Sequence, residues 1–600
     1  MGAGGPAGER AAVTVPAPLA AEPPSAPSAA PPGIRPSRVA RPWPYALWLA
    51  VVAAAFLGPT AGLLHDAWLF WVHARDSVRY LGQIDYGESP LLAQAVLWLR
   101  GHQIYHNDAH PPFSVGNYTP LFTLLTAAVV HFVGVRLGAG RAISVASSLA
   151  TAVCIGLCTW ESARLPRFLG RGRPQPRWAV PPRGFTLLGA VSAGCVYLAA
   201  RFVWGWGVLG RVDALAVCCS LFGVWWVLRT AWRPAGPRDP LRWAALWFLL
   251  AVFTRQDAIE GAAASILSLL LTDRRRVLQL IGPLLAGGLT GVAALLAVSR
   301  GQFFVHVFLY NINRFSWTTV RSMWGYWQGG AGGRVLLDLG VLGAISWLLG
   351  GGQPLPALLL LCSTATSLTV GKIGSSINYF LPLIAACSWC TGLLLVRALG
   401  VAAAAPATVR WVPLALAAVL AAWVGGRPPA WAQPVGALLP PFADLLRAAA
   451  SPGQTLAHGL QTPGWASTPT AQPGPQWHQL IDLVRATPGP VVSEDMSFVV
   501  LAGKPLAFQP FELTQAAASG WWNQNLFVRR LLAGDYSLVI LPVNVAAGQQ
   551  PNSSRWSPEM AAAISQAYVP VGYLHGNWVY RPRAEASLGL RPGVAAVAAG

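Results

Sequence analysis

The feature that most constrains the fold of this chain is a series of apolar segments separated by short charged or turn-forming stretches. Hydrophobic residues make up 54% of the chain and charged residues 11%, and the mean hydropathy is +0.47. We therefore predict a polytopic α-helical membrane protein of about eleven spans, since a helix needs about 20 apolar residues to cross a bilayer. The spans are predicted near 44–63, 141–160, 184–203, 214–230, 241–254, 257–272, 277–298, 334–350, 355–370, 380–397 and 409–425.

Charge between the segments predicts their orientation. Three arginines precede the first span, and the short loops 164–183 and 273–276 are rich in arginine. Because short cytoplasmic loops keep basic residues, the N-terminus and these loops are predicted to be cytoplasmic. A full span at 118–135 would move the loop 164–183 to the other side of the membrane. We therefore predict a juxtamembrane or re-entrant element at 118–135, within a large outer loop from 64 to 140.

Composition divides the chain into five predicted regions. Its first residues are rich in Ala and Pro and lack apolar residues for a core, and a similar composition returns after the last span. Beyond this linker, helix and strand patterns alternate, which is typical of a small α/β domain. The regions are a disordered cytoplasmic tail (1–43), the membrane domain (44–426), a linker (427–473), an extracytoplasmic α/β domain (474–583) and a flexible tail (584–600).

The net charge and the cysteines exclude two classes of protein. The formal charge is +20, but the excess lies mostly in short loops beside apolar segments, so we predict no nucleic-acid partner. All eight cysteines lie in or beside apolar segments, so we predict no disulfide framework. Cys387 and Cys390 have a C-x-x-C spacing without neighbouring ligands, which indicates packing rather than a redox or metal site.

Under this topology, ionisable residues gather on the outer face of the membrane. Such groups are costly near hydrocarbon depth and usually line a site. Asp85 and Glu88 in DYGE follow the first span, and their spacing would put both carboxylates on one face if a helix began there. Such a pair can deprotonate a hydroxyl or hold a divalent cation. The alternative is a solvated acid pair at a helix N-terminus.

Two further motifs on this face place an arginine beside an aspartate. GRVD supplies Arg211 and Asp213, and TRQD supplies Arg255 and Asp257. One arginine guanidinium can bind two phosphate oxygens at once, and a nearby carboxylate can orient the arginine or bind a metal. A structural ion pair is the alternative for either motif alone. Their position on the same face as DYGE favours a site.

The segment GKIGSSINYF contains Lys372, the one lysine of the membrane domain. Its glycines and serines allow backbone N–H groups and hydroxyls to approach an anion, with the ammonium as a point charge. The spacing is not that of a nucleotide-binding P-loop. Asn378 and Tyr379 could hydrogen-bond a sugar or a lipid phosphate. The alternative is an interfacial lysine in a tight loop.

The segment GHQIYHNDAH is rich in metal-binding residue types but lacks the helical H-E-x-x-H spacing. We interpret it as a polar loop, with a zinc site as the alternative. Tyr118 in NYTPL and Arg141 are candidates for the rim of a cavity. The residues concerned in the first segment are His102, Tyr105, His106, Asp108 and His110.

The order of these motifs resembles the C-type (GT-C) glycosyltransferases, in particular bacterial relatives of protein O-mannosyltransferases and lipid A aminoarabinose transferases. The likeness rests on an acidic motif after the first span, followed by GHQIYHND and NYTPLFTLL, and extends in architecture over about 44–425. It implies a polyprenyl-phosphate sugar as donor, with Asp85 matching the catalytic first-loop acid and Asp213 the second-loop acid. The adjacent Asp-Glu pair of the mannosyltransferases is here Asp-Tyr-Gly-Glu, so either Asp85 or Glu88 is the base. Members differ in their need for metal, so a divalent cation stays open.

The resemblance implies an inverting hexosyl- or pentosyltransferase of the cytoplasmic (inner) membrane. An acceptor hydroxyl on a lipid, glycan or protein, deprotonated by Asp85 or Glu88, attacks the anomeric carbon. A transporter or lipid flippase is the alternative, but the absence of internal repeats weakens it. A non-catalytic scaffold would leave Asp85 freely replaceable. The leaving phosphate is met by Lys372, Arg255 and Arg211, and the sugar or lipid by Asp257, Asn378, Tyr379 and Tyr118.

Overall fold

The computed structural model describes residues 43–165, 183–232, 240–330, 333–404, 412–425 and 471–586. The predicted tails at 1–43 and 584–600 and the predicted linker at 427–473 lie almost entirely outside these ranges. Most of the arginine-rich loop 164–183 also lies outside them, so the predictions for these segments stay predictions.

In the described residues before 426, the regular elements are mainly helices. Polar backbone groups in a bilayer must be satisfied within the segment, which a helix achieves. Each predicted span coincides with a helix. The helices are α1 (Trp43–Arg79), α2 (Glu88–Leu99), α3 (Leu121–Val133), α4 (Gly138–Arg164), α5 (Arg183–Ala199), α6 (Arg201–Trp206), α7 (Val212–Arg229), α8 (Pro240–Thr254), α9 (Glu260–Thr272), α10 (Val277–Val298), α11 (Gln302–Val307), α12 (Trp317–Gly330), α13 (Gly333–Leu349), α14 (Leu355–Ser367), α15 (Leu381–Ala404) and α16 (Val412–Gly425).

Five helices in the described part of the chain are long and apolar enough to cross a membrane, or six if the bent pair α12 and α13 counts as one span. Other apolar helices, including α8 and α9, are shorter. The count of about eleven spans therefore stays a prediction. Helix α3 has 13 residues, as does α9, so length does not separate the predicted juxtamembrane element at 118–135 from a predicted span.

The first helix is longer than the sequence indicated. We predicted that the span ends near 63, but α1 continues to Arg79. Residues 64–79 contain neither Gly nor Pro, the two residues that most disfavour a helix. The helix therefore continues beyond the apolar segment. The connection to α4 therefore runs over 80–137, and we call it the first connecting segment. It contains α2 and α3.

The C-terminal part forms a small mixed sheet, as predicted. Its strands are β1 (Val491–Ser493), β2 (Leu538–Leu541), β3 (Tyr568–Leu574) and β4 (Asn577–Pro582), in the order β1-β2-β4-β3. The β1–β2 pair is parallel and the other two pairs are antiparallel. Strands β1 and β2 are buried along their whole length, which explains their uninterrupted apolar sequence. The surrounding helices are α17 (Pro475–Ala486), α18 (Ser497–Leu501), α19 (Pro510–Ala518), α20 (Asn525–Leu532), α21 (Pro558–Ala567) and α22 (Arg583–Ala586).

The sheet domain (471–586) shares a hydrophobic core with the first connecting segment. Phe113 donates its backbone N–H to the carbonyl of Ala507 at 3.1 Å and accepts from the N–H of Gln509 at 2.9 Å. The buried ring of Phe113 also packs against the ring of Phe527, which stacks on that of Phe508 with centroids 3.9 Å apart. The sheet domain is thus held against the segment that carries Asp85.

Candidate active site

Asp85 lies in the loop before α2 and contacts Arg211. Its Oδ2 accepts hydrogen bonds from Nη1 of Arg211 at 3.0 Å and from the N–H of Gly87 at 2.9 Å. The side chain of Asp85 is 22% exposed, so it can reach a ligand. Burial raises the pKa of Asp85, and the charge of Arg211 partly opposes this increase. A carboxylate of raised pKa is a better general base than an ordinary one.

Gly87 permits this contact because it has no side chain. A Cβ atom at this position would lie 1.3 Å from Nη1 of Arg211, inside its van der Waals radius. The DYGE motif therefore needs a glycine between its acids. This requirement comes from the close approach of Arg211 rather than from the backbone conformation of Gly87, whose φ is −79°.

Glu88 has a different position from Asp85. It is the first residue of α2 and is 2% exposed. Its carboxylate accepts from Nε and Nη2 of Arg141 at 2.8 and 2.6 Å and from the backbone N–H groups of Gly210 and Ile84, both at 2.9 Å. Burial raises the pKa of Glu88, but the charge and hydrogen bonds of Arg141 outweigh burial and hold it below its ordinary value.

The two acids of DYGE therefore do not share a helix face. The spacing predicted such a face if a helix began at Asp85, but α2 begins at Glu88. Arg141, which we had considered for a cavity rim, is 0% exposed and also donates to the carbonyls of Ser77, Tyr80 and Gly82. It ties the first connecting segment to α4.

The GRVD and TRQD motifs meet, as their common face predicted. Nη1 of Arg255 lies 2.7 Å from Oδ1 of Asp213, and Nε and Nη2 of Arg255 bind the two oxygens of Asp257 at 2.7 and 3.0 Å. The guanidinium lies over the ring of Tyr379, 4.1 Å from its centroid. Asn378 donates to Oδ1 of Asp213 at 2.7 Å. All three kinds of N–H donor on Arg255 thus already have partners.

Two buried oxygens in this cluster have no hydrogen-bond partner among the described residues. They are Oδ2 of Asp213 and Oδ1 of Asn378, on side chains that are 1% and 4% exposed. Buried polar atoms normally find a partner, so a ligand or water group is expected there. Tyr118 lies between this cluster and Asp85, since its hydroxyl accepts from Nη2 of Arg211 at 3.1 Å.

Lys372 is half-buried at the start of the GKIGSS loop. Its Nζ lies 3.4 Å from Oδ1 of Asn311, and within the described ranges no carboxylate oxygen lies within 4 Å of it. Burial lowers the pKa of Lys372, while the charge of Asp257 raises it and that of Arg255 lowers it further. The ammonium is therefore more available to an incoming anion than the guanidinium of Arg255.

The histidine-rich segment makes protein contacts. His106 Nε2 lies 2.9 Å from the carbonyl of Pro112, and Tyr105 donates to the carbonyl of Tyr118 at 2.8 Å. Oδ1 of Asp108 accepts from the hydroxyl of Tyr310. His102 and His110 are exposed. In the part of the chain that the structure describes, no three His, Cys, Asp or Glu side chains are grouped to hold one metal ion.

A cavity of about 780 Å³, which we call the outer cavity, lies between the membrane domain and the sheet domain. From the membrane domain it is lined by Asp85, Tyr118 and Arg211 and by the serines of the GKIGSS loop, Ser375 and Ser376. This volume is in the usual range for small-molecule sites. The cavity thus joins the candidate base to the loop that carries Lys372.

The comparisons with known proteins identify the fold. No protein-family model and no curated protein matches the sequence. The crystal structure of ArnT from Cupriavidus metallidurans bound to undecaprenyl phosphate matches with a TM-score of 0.54 and 15% identity, covering 86% of this chain and 97% of that one. ArnT belongs to the GT-C superfamily, and this chain shares its fold. This finding confirms the resemblance drawn from the sequence.

Two other solved structures are similar to this chain. The apo form of the same ArnT has a TM-score of 0.51 at 14% identity and covers 87% of this chain and 98% of its own. AglB from Archaeoglobus fulgidus, in complex with an inhibitory peptide and a dolichol-phosphate, has a TM-score of 0.43 at 13% identity, covering 83% and 70%. ArnT is a lipid A aminoarabinose transferase and AglB an oligosaccharyltransferase.

The sequence did not indicate that the sheet domain lines the outer cavity of this GT-C fold. Glu494 and Asp495 follow β1 directly, at the end of a buried strand where site residues of α/β folds often lie. That position was a usable signal. The sheet domain also contributes Glu512, Arg555 and His575 to the cavity lining. No local sequence pattern marks these three as site residues.

Proposed function

We propose that this protein is an inverting glycosyltransferase of the cytoplasmic membrane. It transfers a sugar from a polyprenyl-phosphate donor to an acceptor hydroxyl at the outer face. The observation that carries the proposal is the outer cavity, in which an exposed carboxylate, Asp85, lies near a cation-bearing loop within a GT-C fold. The solved ArnT structure with undecaprenyl phosphate supports a lipid-phosphate donor. The proposal includes an N-terminus in the cytoplasm and a sheet domain outside it.

Asp85 rather than Glu88 acts as the base. Both were candidates from the sequence, but the carboxylate of Glu88 accepts five hydrogen bonds and is shielded from solvent. Its lowered pKa also makes it a weak proton acceptor. Asp85 is partly exposed, lines the outer cavity and has a raised pKa. Glu88 instead positions the loop that carries Asp85.

Lys372 binds the donor phosphate. It is half-buried, and within the described residues it has only a long contact to Asn311. A buried ammonium without a carboxylate partner gains a large electrostatic stabilisation from an anion. Gly374, Ser375 and Ser376 follow it and line the outer cavity. Arg211 is a second cation at the cavity.

Arg255 orients the site through Asp213 and Asp257. For Arg255 to bind phosphate as the sequence suggested, the phosphate must displace Asp257, whose side chain is 41% exposed. The unpartnered oxygens of Asp213 and Asn378 can accept sugar hydroxyls. In this arrangement Asp213 holds the sugar or acceptor, and the bound group is flanked by Tyr118 and Tyr379.

The transfer step balances with these groups. Asp85 takes the proton of the acceptor hydroxyl, and the hydroxyl oxygen forms a bond to the anomeric carbon from the face opposite the phosphate. The bond from the anomeric carbon to the phosphate oxygen breaks, and its electron pair leaves with the polyprenyl phosphate. Lys372 and Arg211 stabilise the negative charge that develops on the leaving group.

The test uses the full-length protein in nanodiscs with a panel of polyprenyl-phosphate sugars and a crude envelope extract as acceptor. We expect sugar transfer and release of polyprenyl phosphate from the wild type, and loss of both in Asp85→Asn with undecaprenyl phosphate still bound. Asp482→Asn is the matched control, because Asp482 is exposed and, among the described residues, its only ion pair is with Arg485. Full transfer by Asp85→Asn would exclude Asp85 as the base.

The same assay separates the proposal from a transporter or lipid flippase. A flippase moves the donor across the bilayer with its sugar–phosphate bond intact, whereas a transferase breaks that bond. Donor that becomes accessible on the opposite leaflet without release of polyprenyl phosphate would therefore favour the flippase. Release that depends on both acceptor and Asp85 would favour the transferase.

A further inference from the structure

The sheet domain gives the outer cavity a strongly acidic wall. Four carboxylates line the cavity, those of Asp85, Glu494, Asp495 and Glu512, together with two guanidinium groups, those of Arg211 and Arg555. Three of the four carboxylates belong to the sheet domain. The cavity lining therefore carries an excess of negative charge, although the protein as a whole carries a formal charge of +20.

Two of the carboxylates are matched by the two arginines. Oε1 of Glu494 lies 2.7 Å from Nη1 of Arg555, and Oε2 of Glu494 accepts from Nε1 of Trp556 at 2.8 Å. Arg555 also lies over the ring of Tyr86, 4.3 Å from its centroid. Asp85 pairs with Arg211 at 3.0 Å. These contacts leave the two other carboxylates without a close cation.

Asp495 and Glu512 are those two carboxylates. Within the described residues, neither has a Lys or Arg nitrogen within 4 Å. Oε2 of Glu512 is buried and has no hydrogen-bond partner among the described residues. Oδ1 of Asp495 accepts the backbone N–H of Ser497 at 2.9 Å. Burial raises the pKa of both groups, as expected for carboxylates without a close cation.

The tip of the β3–β4 hairpin presents polar side chains to the same wall. His575 and Asn577 line the cavity beside Asp495. His575 has a φ of 48°, an uncommon conformation for a residue with a side chain. The turn thus holds a histidine where glycine would be less strained, and its side chain reaches the cavity. The wall therefore offers acceptors and a titratable ring to a ligand rich in hydroxyls.

We infer that this wall is the acceptor subsite and that it selects a hydroxyl-rich glycan without phosphate. The inference rests on the proposed function. Unpaired carboxylates accept hydrogen bonds from sugar hydroxyls but repel a phosphate. Asp85 lines the same cavity, so a hydroxyl held by Glu512 and Asp495 is available to the base. The donor phosphate is held by Lys372, which does not belong to the lining.

The test measures which oligosaccharides the full-length protein retains in nanodiscs. Oligosaccharides from partial hydrolysis of an envelope extract are separated by anion exchange into neutral and phosphate-bearing fractions, and a serine-containing peptide is added as a third probe. We expect the neutral fraction to be retained at least about tenfold better than the phosphate-bearing one. In the double variant Asp495→Asn/Glu512→Gln, this preference should fall below about threefold.

Glu559→Gln is the matched control, because Glu559 lies in the same domain but outside the cavity lining, where it contacts Gln524 and Ser557. It should keep the wild-type preference. Equal or better retention of the phosphate-bearing fraction or of the peptide, or an unchanged preference in the double variant, would overturn the inference. Binding of undecaprenyl phosphate is measured in parallel. If it persists when all oligosaccharides fail, the acceptor inference falls and the proposed donor site stands.

Discussion

The guanidinium of Arg141 and the carboxylate of Glu88 form a two-point ion pair away from solvent, with Nε 2.8 Å from Oε1 and Nη2 2.6 Å from Oε2. Their side chains are 0% and 1% exposed. We expect Glu88→Gln to lower the free energy of unfolding by about 3–5 kcal/mol, because it leaves a buried cation without its anion. Thermal unfolding in detergent, followed by tryptophan fluorescence, measures the change.

Asp85→Asn is the comparison for that experiment. Because Asp85 is partly exposed, this substitution should lower the free energy of unfolding by less than Glu88→Gln. The pH dependence gives a second check. The pKa of Glu88 is depressed in the folded protein below its ordinary value of 4.5, so its contribution to stability is complete above pH 4.5 and is lost as the pH falls through the folded pKa. Glu88→Gln should lack this acid-dependent part. Equal stability of the two variants would contradict a structural role for Glu88.

The pH dependence of transfer should report Asp85. The base works when deprotonated, and burial raises its pKa above the ordinary 3.8, so kcat/KM should fall as the pH drops through this raised value. Arg211 lowers the pKa of Asp85. In Arg211→Gln we therefore expect the acid limb of the pH profile of kcat/KM to move to higher pH by about one unit or more. A limb that stays in place or moves to lower pH would speak against Asp85 as the titrating group.

Lys372→Ala should weaken the binding of undecaprenyl phosphate by about tenfold or more, because a charge-assisted contact is lost. In the wild type, binding should weaken with rising pH from below 10.5, because burial lowers the pKa of Lys372 and only the protonated form attracts phosphate. Lys372→Arg should keep its affinity at high pH. Lys504→Ala is the control, since that lysine binds carbonyls of the sheet domain. An equal loss in both alanine variants would contradict a specific role for Lys372.

Gly87→Ala should reduce transfer by about 100-fold while the protein stays folded, because the added methyl group displaces Arg211 from Asp85 and misplaces the base. Turnover of the purified variant measures this effect. Gly474→Ala is the matched control, since a Cβ there meets nothing within 4 Å. Wild-type turnover by Gly87→Ala would mean that catalysis does not need the Asp85–Arg211 contact.

The sequence predicted which motifs meet but not which residues pair. GRVD and TRQD suggested an arginine bound to the aspartate of its own motif. Arg255 does bind Asp257, but it also binds Asp213 of the other motif, and Arg211 binds Asp85 instead. Membrane topology fixes the face on which a residue lies, whereas a partner depends on helix packing, which a one-dimensional pattern does not contain.

The separate positions of Asp85 and Glu88 were equally beyond the sequence. Their spacing left open where a helix begins, and that single boundary decides which acid enters the helix and meets Arg141. The apolar segments, by contrast, were recognisable because hydropathy acts over many residues and averages out local detail. Apolar segments many residues long could therefore be predicted from the sequence. Single contacts between residues far apart in the chain could not.

The bond between Val115 and Gln509 has a consequence for biosynthesis. The two residues are 394 positions apart, and the backbone N–H of Val115 is satisfied by the side chain of Gln509. During synthesis from the N-terminus, the segment that carries the candidate base is complete long before its packing partner leaves the ribosome. Every intervening helix must be inserted first. A prematurely terminated chain would then reach the membrane without the sheet-domain wall of the outer cavity.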